Sequence, residues 1–363
     1  MRIGICIAEL DKAGGTNRVV VNLANTFEKK LLNVQLISIH TTNGKTYYPL
    51  NGKIAVQHLG VKLYQNVIAR SSVTFIKTIV ALIKVARNVD VLIATDPITC
   101  FAFSFLKKKF PGKKFIACEH MGIAVSAKHS LLARKLLYKY VDAVVVLNER
   151  DKVLLQQNVT MKHCFVIPNQ VSFYPSESAA CINKKMVTVG RYVPQKGYDI
   201  LIDILKEVMP ANKDWSIDIV GDGYMKQELN DKINSYGLQH QVKLIEPTKN
   251  VAQLYIQASA YLMPSRFEGF PMVLLEAKAC GLPCISFDCP AGPAEIIEDN
   301  DGIVIPLFDK QAFGGAMQLL IDNESLRISM GRHAKQNVKK FSEEAIYDKW
   351  DNLFKTVFNA NIA

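Results

Sequence analysis

The chain has 363 residues, of which 49% are hydrophobic and 21% charged, and its formal net charge is +11. This length suits two domains, and the composition excludes disordered, collagen-like and coiled-coil proteins. The eight cysteines are scattered, mostly in apolar runs. They predict buried thiols in a reducing compartment rather than a disulfide scaffold.

The charge is unevenly spread along the chain. Residues 1–172 contain 24 Lys and Arg against 9 Asp and Glu, whereas residues 173–363 contain 20 against 24. A basic half indicates a polyanionic partner such as nucleic acid, anionic lipid or a phosphorylated substrate, or else merely a soluble basic surface. We expect no transmembrane helix and no signal peptide, because the short apolar run Ile3–Ala8 is followed at once by Glu9 and Asp11.

In the first half, short apolar runs alternate with amphipathic ones. The runs predict strands at Ile3–Ala8, Val34–Ile39, Val91–Ala94, Phe115–Cys118, Ala143–Leu147 and Cys164–Ile167. Helical spacing appears between several of them, for example at Arg18–Lys30 and Ser130–Tyr140. This alternation predicts βαβ units and a parallel sheet.

The pattern pauses at Asn169–Lys185, which we interpret as an interdomain linker, and then restarts. Strands are predicted at Met186–Val189, Ser216–Val220, Val242–Ile245, Ala260–Met263 and Pro283–Phe287. Helices are predicted at Tyr198–Val208, Tyr224–Tyr236, Val251–Ala258 and Met272–Ala279. The sequence therefore predicts two consecutive Rossmann-like α/β domains that face a cleft. The apolar stripe of Ser342–Phe358 predicts a terminal docking helix.

Two turns in the second half carry residues suited to an anionic ligand. Arg191 and Lys196 follow a strand that ends at Gly190, and they could bind phosphate oxygens or be simply solvated. The turn Gly221-Asp222-Gly223 also follows a strand. Its glycines would let backbone approach a flat or anionic ligand, or form a plain turn.

The segment from Pro264 to Glu276 is the most specific one. Pro271 suits the first position of a helix, so the amides of Gly269, Phe270 and Met272 would sit at its positive end. Glu268, in the preceding loop, and Glu276, in the helix with seven residues between the two, could converge on sugar hydroxyls. The alternative is that Glu268 is an acid favoured by the helix dipole in the first turn and that Glu276 is a solvated acid of the helix.

The first half offers a glycine pair and a histidine. Gly14 and Gly15 stand before a helix, where they suit either close approach of an anion or a tight turn with Thr16 as the N-cap. His120 comes just after a strand and is either structural or catalytic. No metal-ligand constellation accompanies it, and Cys280, Cys284 and Cys289 are interpreted as buried thiols rather than zinc ligands.

Two basic stretches also contain apolar residues. Phe101–Lys114 carries Lys107, Lys108 and Lys109, and Ser72–Arg87 combines a helical apolar pattern with Lys77, Lys84 and Arg87. They suit either an anionic membrane face or ordinary packed helices with solvated lysines. A nucleic-acid partner is not expected, since no usual binding module is present.

Four blocks taken together resemble the retaining glycosyltransferases of family 4, which have the GT-B fold. They occur in the family's order and read VGRYVPQKG, IVGDG, PSRFEGFP with Glu276, and CPAGPAEII at Cys289–Ile297. The resemblance extends over nearly the whole chain, but in the first half it depends on Gly14, Gly15 and His120. It implies an acceptor-side domain at 1–172 plus about 345–363 and a nucleotide-sugar-binding domain at 173–344. It also implies that the C-terminal helix packs on the first domain.

The resemblance also implies roles for single residues. Arg191 and Lys196 are similar to the pair that holds the donor diphosphate, and Gly15 is similar to the loop that approaches it. Glu276 is similar to the acid that binds the ribose. Glu268, with the amides beside it, is similar to the site for the donor sugar hydroxyls. His120 is similar to the histidine that contacts the donor sugar.

The expected function is a cytoplasmic, retaining, metal-independent hexosyltransferase without a cofactor. A UDP-sugar donor, a lipid-linked or membrane-borne glycan acceptor and a peripheral position on the anionic inner face of the cell membrane are expected, as in bacterial lipopolysaccharide or capsule biosynthesis. One alternative is a UDP-sugar epimerase of the same architecture, which would need acid and base carboxylates. Another is a non-enzymatic sugar-nucleotide or nucleic-acid binder.

Overall fold

The structure is a computed structural model. It describes all residues except 13, 43, 63–66, 121, 124–127, 249, 291 and 360–363, and it does not describe the side chains of 67–72 and 128–130. The chain divides into two compact units. The first contains Met1–Gln170 and the C-terminal residues from Glu343 onward, and the second contains Val171–Ser342. Each division falls two residues before the boundary expected from the sequence.

The first unit is built on a parallel sheet. Its strands are β1 (Arg2–Ile7), β2 (Asn33–Ser38), β3 (Ala55–His58), β4 (Val91–Ala94), β5 (Lys114–Cys118), β6 (Ala143–Val146) and β7 (Cys164–Val166). They lie in the order β3-β2-β1-β4-β5-β6-β7, with Ile3 of β1 opposite Val34 and Val91. Strands β4, β5 and β6 are buried along their whole length, as expected for a parallel sheet covered on both faces.

Helices cover this sheet, and most come from the expected segments. They are α1 (Gly15–Lys29), α2 (Val67–Ala86), α3 (Pro97–Lys109), α4 (Lys128–Leu137), α5 (Glu149–Asn158) and the C-terminal α13 (Glu343–Asn359). The predicted stripe of α13 is buried in the core of the first unit, where the Trp350 ring lies 5.7 Å from that of Phe27. The expectation that the last helix packs on the first domain is therefore confirmed.

The second unit repeats the architecture. Its strands are β8 (Lys185–Val189), β9 (Ser216–Val220), β10 (Val242–Ile245), β11 (Ala260–Met263), β12 (Cys284–Phe287) and β13 (Gly302–Ile305), in the order β10-β9-β8-β11-β12-β13. Its helices are α6 (Tyr198–Val208), α7 (Lys226–Ser235), α8 (Val251–Ile256), α9 (Met272–Ala279), α10 (Pro293–Ile296), α11 (Lys310–Asp322) and α12 (Glu324–Asn337).

The strand order reverses between β8 and β11, because β9 and β10 lie on one side of β8 and β12 and β13 lie beyond β11. In open parallel sheets, ligands bind outside the carboxyl ends of the strands at such a switch point. The loops that leave β8 and β11 are the ones with the most specific sequence motifs. The predicted class, two Rossmann-like α/β units, is confirmed, and the cleft stays a prediction. Over the described residues, none of the helices combines the length and apolar character that crossing a bilayer requires.

Candidate active site

The loops after β8 and β11 are held together in the second unit. The amide of Arg266 donates to the carbonyl of Gln195 at 2.8 Å, and Gln195 Nε2 donates to the carbonyl of Phe267 at 3.1 Å. The Arg266 guanidinium also forms a fork with both Asp199 oxygens at 2.8 and 2.6 Å. Burial alone would raise the pKa of Asp199, but the hydrogen bonds and charge of Arg266 outweigh it, and that pKa is lowered. Asp199 and Arg266 hold the two motifs in register, and neither was predicted from the sequence as a site residue.

Lys196 and Glu268, both predicted site residues, contact each other. Lys196 Nζ donates to Glu268 Oε1 at 2.7 Å, and Ser265 Oγ donates to the same oxygen at 2.7 Å. Both charged side chains are largely buried. Glu268 lies before α9, which begins at Met272, so it is not the first-turn acid of the alternative interpretation, and the ammonium of Lys196 is already neutralised.

Arg191 differs from Lys196. Its side chain is exposed, at the carboxyl end of β8. Within the described part of the chain, no hydrogen bond or ion pair engages its guanidinium. A guanidinium presents paired donors that match phosphate oxygens. Arg191 is thus the available cation of this pair of loops.

The GDG turn packs against the loop after β8. A Cβ on Gly221 would lie 1.9 Å from the Gly190 carbonyl oxygen, and one on Gly223 would lie 2.5 Å from that of Tyr192. The Tyr192 amide donates to the Asp222 carbonyl at 2.8 Å. The close approach that these glycines allow is to the protein's own backbone, and the ligand contact predicted for Gly221 stays a prediction.

The bounds of α9 match the predicted helix, but the expected position of Pro271 within it does not. Pro271 is the N-cap, with φ −76° and ψ 92°, and Met272 is the first helical residue, so the expectation of Pro271 as the first position was wrong. No side chain caps this helix end. Phe270 is buried against Phe341, at 5.9 Å between the rings, and Gly269 and Met272 are half-buried.

Glu276 lies inside α9 and is buried, which contradicts the alternative of a solvated helical acid. Its predicted convergence with Glu268 on one ligand stays a prediction.

In the first unit, α1 begins at Gly15 with Gly14 as its N-cap, not Thr16. Both glycines are exposed, and a Cβ on either would meet no heavy atom within 4 Å. The Gly14 amide donates to the Tyr48 hydroxyl at 3.3 Å. The open surroundings leave room for a ligand at this helix end, and the predicted role of both glycines stays a prediction.

His120 follows β5 and lines a small cavity within the first unit, together with Thr95, Cys118, Asn169 and Trp350. Its Nδ1 is buried and has no hydrogen-bond partner among the described residues. Burial, against the opposing charge of Glu119, lowers the pKa of His120 to about 4, so the ring is neutral at pH 7. The cavity volume of about 20 Å³ suffices for about one water molecule.

The residue before His120 anchors a buried network that the sequence analysis missed. Arg134 forms a fork with Glu119, at 2.6 Å from Nε to Oε1 and 2.8 Å from Nη2 to Oε2, and the Tyr138 hydroxyl also donates to Oε1. All three side chains are buried. Burial and then the Glu119 charge raise the pKa of Tyr138. A carboxylate directly after a strand and an arginine 15 residues later were visible in the sequence, but nothing there indicated their contact.

The cysteines are free thiols, all buried except the half-buried Cys164. Burial and then the nearby Glu268 charge raise the pKa of Cys289 to about 12, and burial raises that of Cys280 to about 12. These thiols stay protonated at neutral pH. Over the described residues, no group of three or more His, Cys, Asp or Glu side chains is placed to hold a metal ion.

Comparisons with known proteins identify the class of this chain. The family model described as glycosyl transferases group 1 matches residues 176–337. The amylovoran biosynthesis glycosyltransferase AmsD of Erwinia amylovora is 31% identical over 361 residues, with 96% of this chain and 98% of the relative covered. The protein is a glycosyltransferase and belongs to the group 1 family.

A second relative also spans the whole chain. It is the GalNAc-alpha-(1->4)-GalNAc-alpha-(1->3)-diNAcBac-PP-undecaprenol alpha-1,4-N-acetyl-D-galactosaminyltransferase of Campylobacter jejuni, which is 28% identical over 369 residues and covers 99% of this chain and 100% of the relative. The family resemblance predicted from the four sequence blocks is therefore confirmed. Membership in a transferase family gives no support to the epimerase alternative.

Solved structures share the fold. A sucrose-phosphate synthase from Thermosynechococcus elongatus superposes with a TM-score of 0.83 at 18% identity and covers 99% of both chains. HepE from Anabaena, solved in complex with UDP, gives a TM-score of 0.78 at 16% identity, over 98% of this chain and 100% of that one. The GT-B fold predicted from the sequence is confirmed.

Proposed function

We propose that this glycosyltransferase moves a hexose from a UDP-sugar to a lipid-linked glycan, with retention of anomeric configuration and without a metal ion or cofactor. The acceptor would be an intermediate of a bacterial surface polysaccharide such as lipopolysaccharide or capsule, handled at the cytoplasmic face of the membrane. The names of two full-length relatives, one in amylovoran biosynthesis and one acting on an undecaprenol-linked glycan, support this acceptor class. The choice of UDP follows the HepE complex.

The observation that carries the proposal is the exposed, available guanidinium of Arg191 at the switch point, beside the Lys196–Glu268 pair. A diphosphate leaving group gains negative charge as its bond to the sugar breaks. Preorganised cations and helix-end amides stabilise that charge without reorganising. The proposed roles are therefore diphosphate binding by Arg191 and Lys196, with the uncapped first turn of α9 nearby.

Binding of the diphosphate would involve an exchange of partners at Lys196. In the structure its ammonium is bound to Glu268, and a phosphate oxygen would compete for the same donor. Glu268 would then keep the hydrogen bond from Ser265 and become free to accept from a sugar hydroxyl. This exchange lets both predicted roles operate, although the two side chains are paired here.

Retention would follow from substitution on one face of the sugar. The bond between the anomeric carbon and the phosphate oxygen breaks, and its electron pair stays on the phosphate. The acceptor hydroxyl oxygen bonds to the same face of the anomeric carbon, and its proton moves to the departing phosphate oxygen. His120, neutral at pH 7, is proposed to contact the donor sugar, and Gly14 and Gly15 to approach the diphosphate.

The first experiment identifies the donor. A panel of UDP-, ADP- and GDP-sugars is screened by thermal shift, because a ligand that binds only the native state raises the melting temperature. We expect UDP-sugars to give the largest shift and to be slowly hydrolysed when no acceptor is present. A preference for another nucleotide overturns the UDP assignment, and isomerisation of the sugar without hydrolysis overturns the transferase mechanism.

The second experiment tests Arg191. We expect Arg191→Ala to keep the wild-type unfolding curve and to weaken UDP binding roughly 10- to 100-fold, the range for losing a charge-assisted hydrogen bond. Arg332→Ala, an exposed arginine of α12 in the same unit, is the matched control and leaves UDP binding unchanged. Equal UDP affinity of wild type and Arg191→Ala contradicts the assignment.

The third experiment examines the product. The anomeric configuration of the new linkage is read by NMR and compared with that of the donor, and an inverted configuration contradicts the same-face mechanism. Turnover in EDTA is expected to equal turnover in Mg²⁺. Loss of activity in EDTA that Mg²⁺ restores would overturn metal independence.

A further inference from the structure

One ring nitrogen of His120 lies inside the first unit. The side chain as a whole is half-buried, but its Nδ1 is buried and makes no hydrogen bond within the part of the chain that the structure describes. In native proteins nearly all buried polar atoms bind a protein group or an ordered water, because an unpaired one costs free energy. We therefore expect Nδ1 to have a partner other than a described side chain.

The cavity beside this ring has room for such a partner. Its volume is about 20 Å³. This is close to the smallest space that holds one water molecule. A cavity with apolar walls stays dry, whereas a water is stable where several polar groups surround it. The polar groups on the wall therefore decide whether the cavity is hydrated.

Thr95, Asn169 and Gln170 bring hydroxyl and amide groups to the wall of this cavity. All three side chains are buried. They come from distant parts of the chain, since Thr95 directly follows β4 and Gln170 is the residue at which the first unit ends before its C-terminal helix. Together with His120 Nδ1 they offer a water as many partners as buried waters commonly have.

The hydrogen bonds that two of these groups already make limit how they can bind a water. Thr95 Oγ1 donates its hydrogen to the Cys6 carbonyl at 2.8 Å, so it can only accept from a water. Gln170 Oε1 accepts from Thr26 Oγ1 at 3.1 Å, which leaves the amide nitrogen of Gln170 as its donor. A water between them donates one hydrogen to Thr95 and accepts one from Gln170, and its second hydrogen remains available.

We propose that a water molecule occupies this cavity and donates its second hydrogen to His120 Nδ1, with Thr95 and Gln170 as the residues that orient it. Asn169 completes the surroundings of the water by donating to its other lone pair. A neutral imidazole carries its single hydrogen on one of its two nitrogens. A water that donates to Nδ1 therefore fixes that hydrogen on Nε2.

The ionisation of His120 agrees with this arrangement. Burial lowers the pKa of His120 to about 4. A hydrogen bond donated to Nδ1 is possible only for the neutral ring, so the water acts on the pKa in the same direction as burial.

This inference rests on the proposed function, in which His120 contacts the donor sugar. It adds that the contact is a hydrogen bond donated by Nε2 to an oxygen of that sugar. Thr95 and Gln170 are then positioning residues, because they act on the ring through the water and not on the substrate.

Two measurements on the wild-type full chain without ligand test the water and the proton separately. A crystal structure should show a water within hydrogen-bonding distance of His120 Nδ1 and Thr95 Oγ1. Long-range proton–nitrogen NMR spectra of histidine-labelled protein at neutral pH should show His120 with Nε2 protonated and Nδ1 unprotonated, and the signals missing from His120→Asn assign them. A dry cavity, a protein group bonded to Nδ1, or a proton on Nδ1 overturns the proposal.

Matched variants remove one hydroxyl each. Thr95→Val removes the acceptor for the water at nearly constant volume, so the NMR spectra should show both tautomers of His120. The kcat with a UDP-sugar should fall about 3- to 10-fold, the equivalent of one hydrogen bond, while affinity for UDP stays that of wild type. Thr95→Ser keeps the hydroxyl and should behave as wild type. Thr99→Val is the control, since Thr99 is a buried residue of α3 whose Oγ1 has no partner among the described residues, and it should change neither quantity.

The outcomes separate this inference from the proposed function. If Thr95→Val changes the His120 tautomer and kcat no more than Thr99→Val does, the positioning role is overturned. If wild type shows the predicted water and tautomer but His120→Asn turns over the UDP-sugar as fast as wild type, the contact with the donor sugar is wrong and the water site is supported. The measurements on wild type do not depend on whether any variant folds.

Discussion

Lys196 and Glu268 are 72 residues apart in sequence, yet Lys196 Nζ lies 2.7 Å from Glu268 Oε1 at the switch point of the second sheet. The two residues belong to separate sequence motifs, and each was assigned its own ligand group. The structure shows that each is the other's ion-pair partner. Because this pair neutralises the charge of Lys196, Arg191 is the available cation of these two loops.

The pair should be energetically coupled. Lys196→Ala and Glu268→Gln are each expected to destabilise the protein by about 2–4 kcal/mol, because each leaves a largely buried group without its partner. The double variant should lose about 1–3 kcal/mol less than the sum, measured by urea unfolding. Lys184 and Asp214 form an exposed pair in the same unit, and Lys184→Ala with Asp214→Asn should show coupling below about 1 kcal/mol. Additive losses at 196 and 268 would contradict the neutral-pair interpretation.

Gly221 should be intolerant of any side chain, with or without ligand. Because its Cβ would lie 1.9 Å from the Gly190 carbonyl oxygen, Gly221→Ala must displace the backbone of the loop after β8. We expect a loss of about 3 kcal/mol or more in the free energy of unfolding. Gly315→Ala is the control, since Gly315 lies in α11 with nothing within 4 Å of the added Cβ, and it should be neutral or stabilise by up to about 1 kcal/mol. If Gly221→Ala unfolds like wild type, the backbone of the loop after β8 can move at little cost in free energy, which contradicts the prediction.

The fold was largely predictable because parallel strands buried on both faces give continuous apolar runs. The bounds of β4, β9, β10, β11, α6 and α9 match the predictions. The edge strand β3 (Ala55–His58) was missed, since it is short and half exposed and has no such run. Strand β13 with α11 and α12 was also missed. These elements follow the last recognised motif. The strand has only a short apolar run, and the apolar residues of the two helices are interrupted by glycines and polar residues.

The site was predictable as a set of motifs and not as a set of contacts. The order of strands brings the loops after β8 and β11 together, and each loop was identified from its own residues. Which charged groups pair across those loops depends on side-chain distances that sequence spacing does not contain. The same limit applies to Glu119, whose partners Arg134 and Tyr138 lie on the following helix and its 3-10 extension.

The Glu119 network should contribute to the stability of the protein. Glu119→Gln leaves the buried guanidinium of Arg134 without a counter-charge, and we expect a loss of about 3–5 kcal/mol in the free energy of unfolding. Tyr138→Phe removes one hydroxyl and leaves the ion pair, so it should cost about 1 kcal/mol. Chemical denaturation checks both values. A larger loss for Tyr138→Phe than for Glu119→Gln would mean that the ion pair is not the main element of the network.

His120 should make stability depend on pH in one direction. Its pKa is about 4 in the folded protein, below an ordinary 6.5, so the unfolded chain binds the proton first as the pH falls. The contribution of His120 is complete above pH 6.5 and is lost as the pH falls toward 4, by at most about 3 kcal/mol. Between pH 7.5 and 4.5, His120→Asn should therefore lose about 2 kcal/mol less stability than wild type in urea unfolding. His240→Asn, at an exposed histidine of the second unit, should follow the wild-type curve. Parallel curves for wild type and His120→Asn would mean that the imidazole is solvated, and a neutral ring beside the donor sugar would no longer be supported.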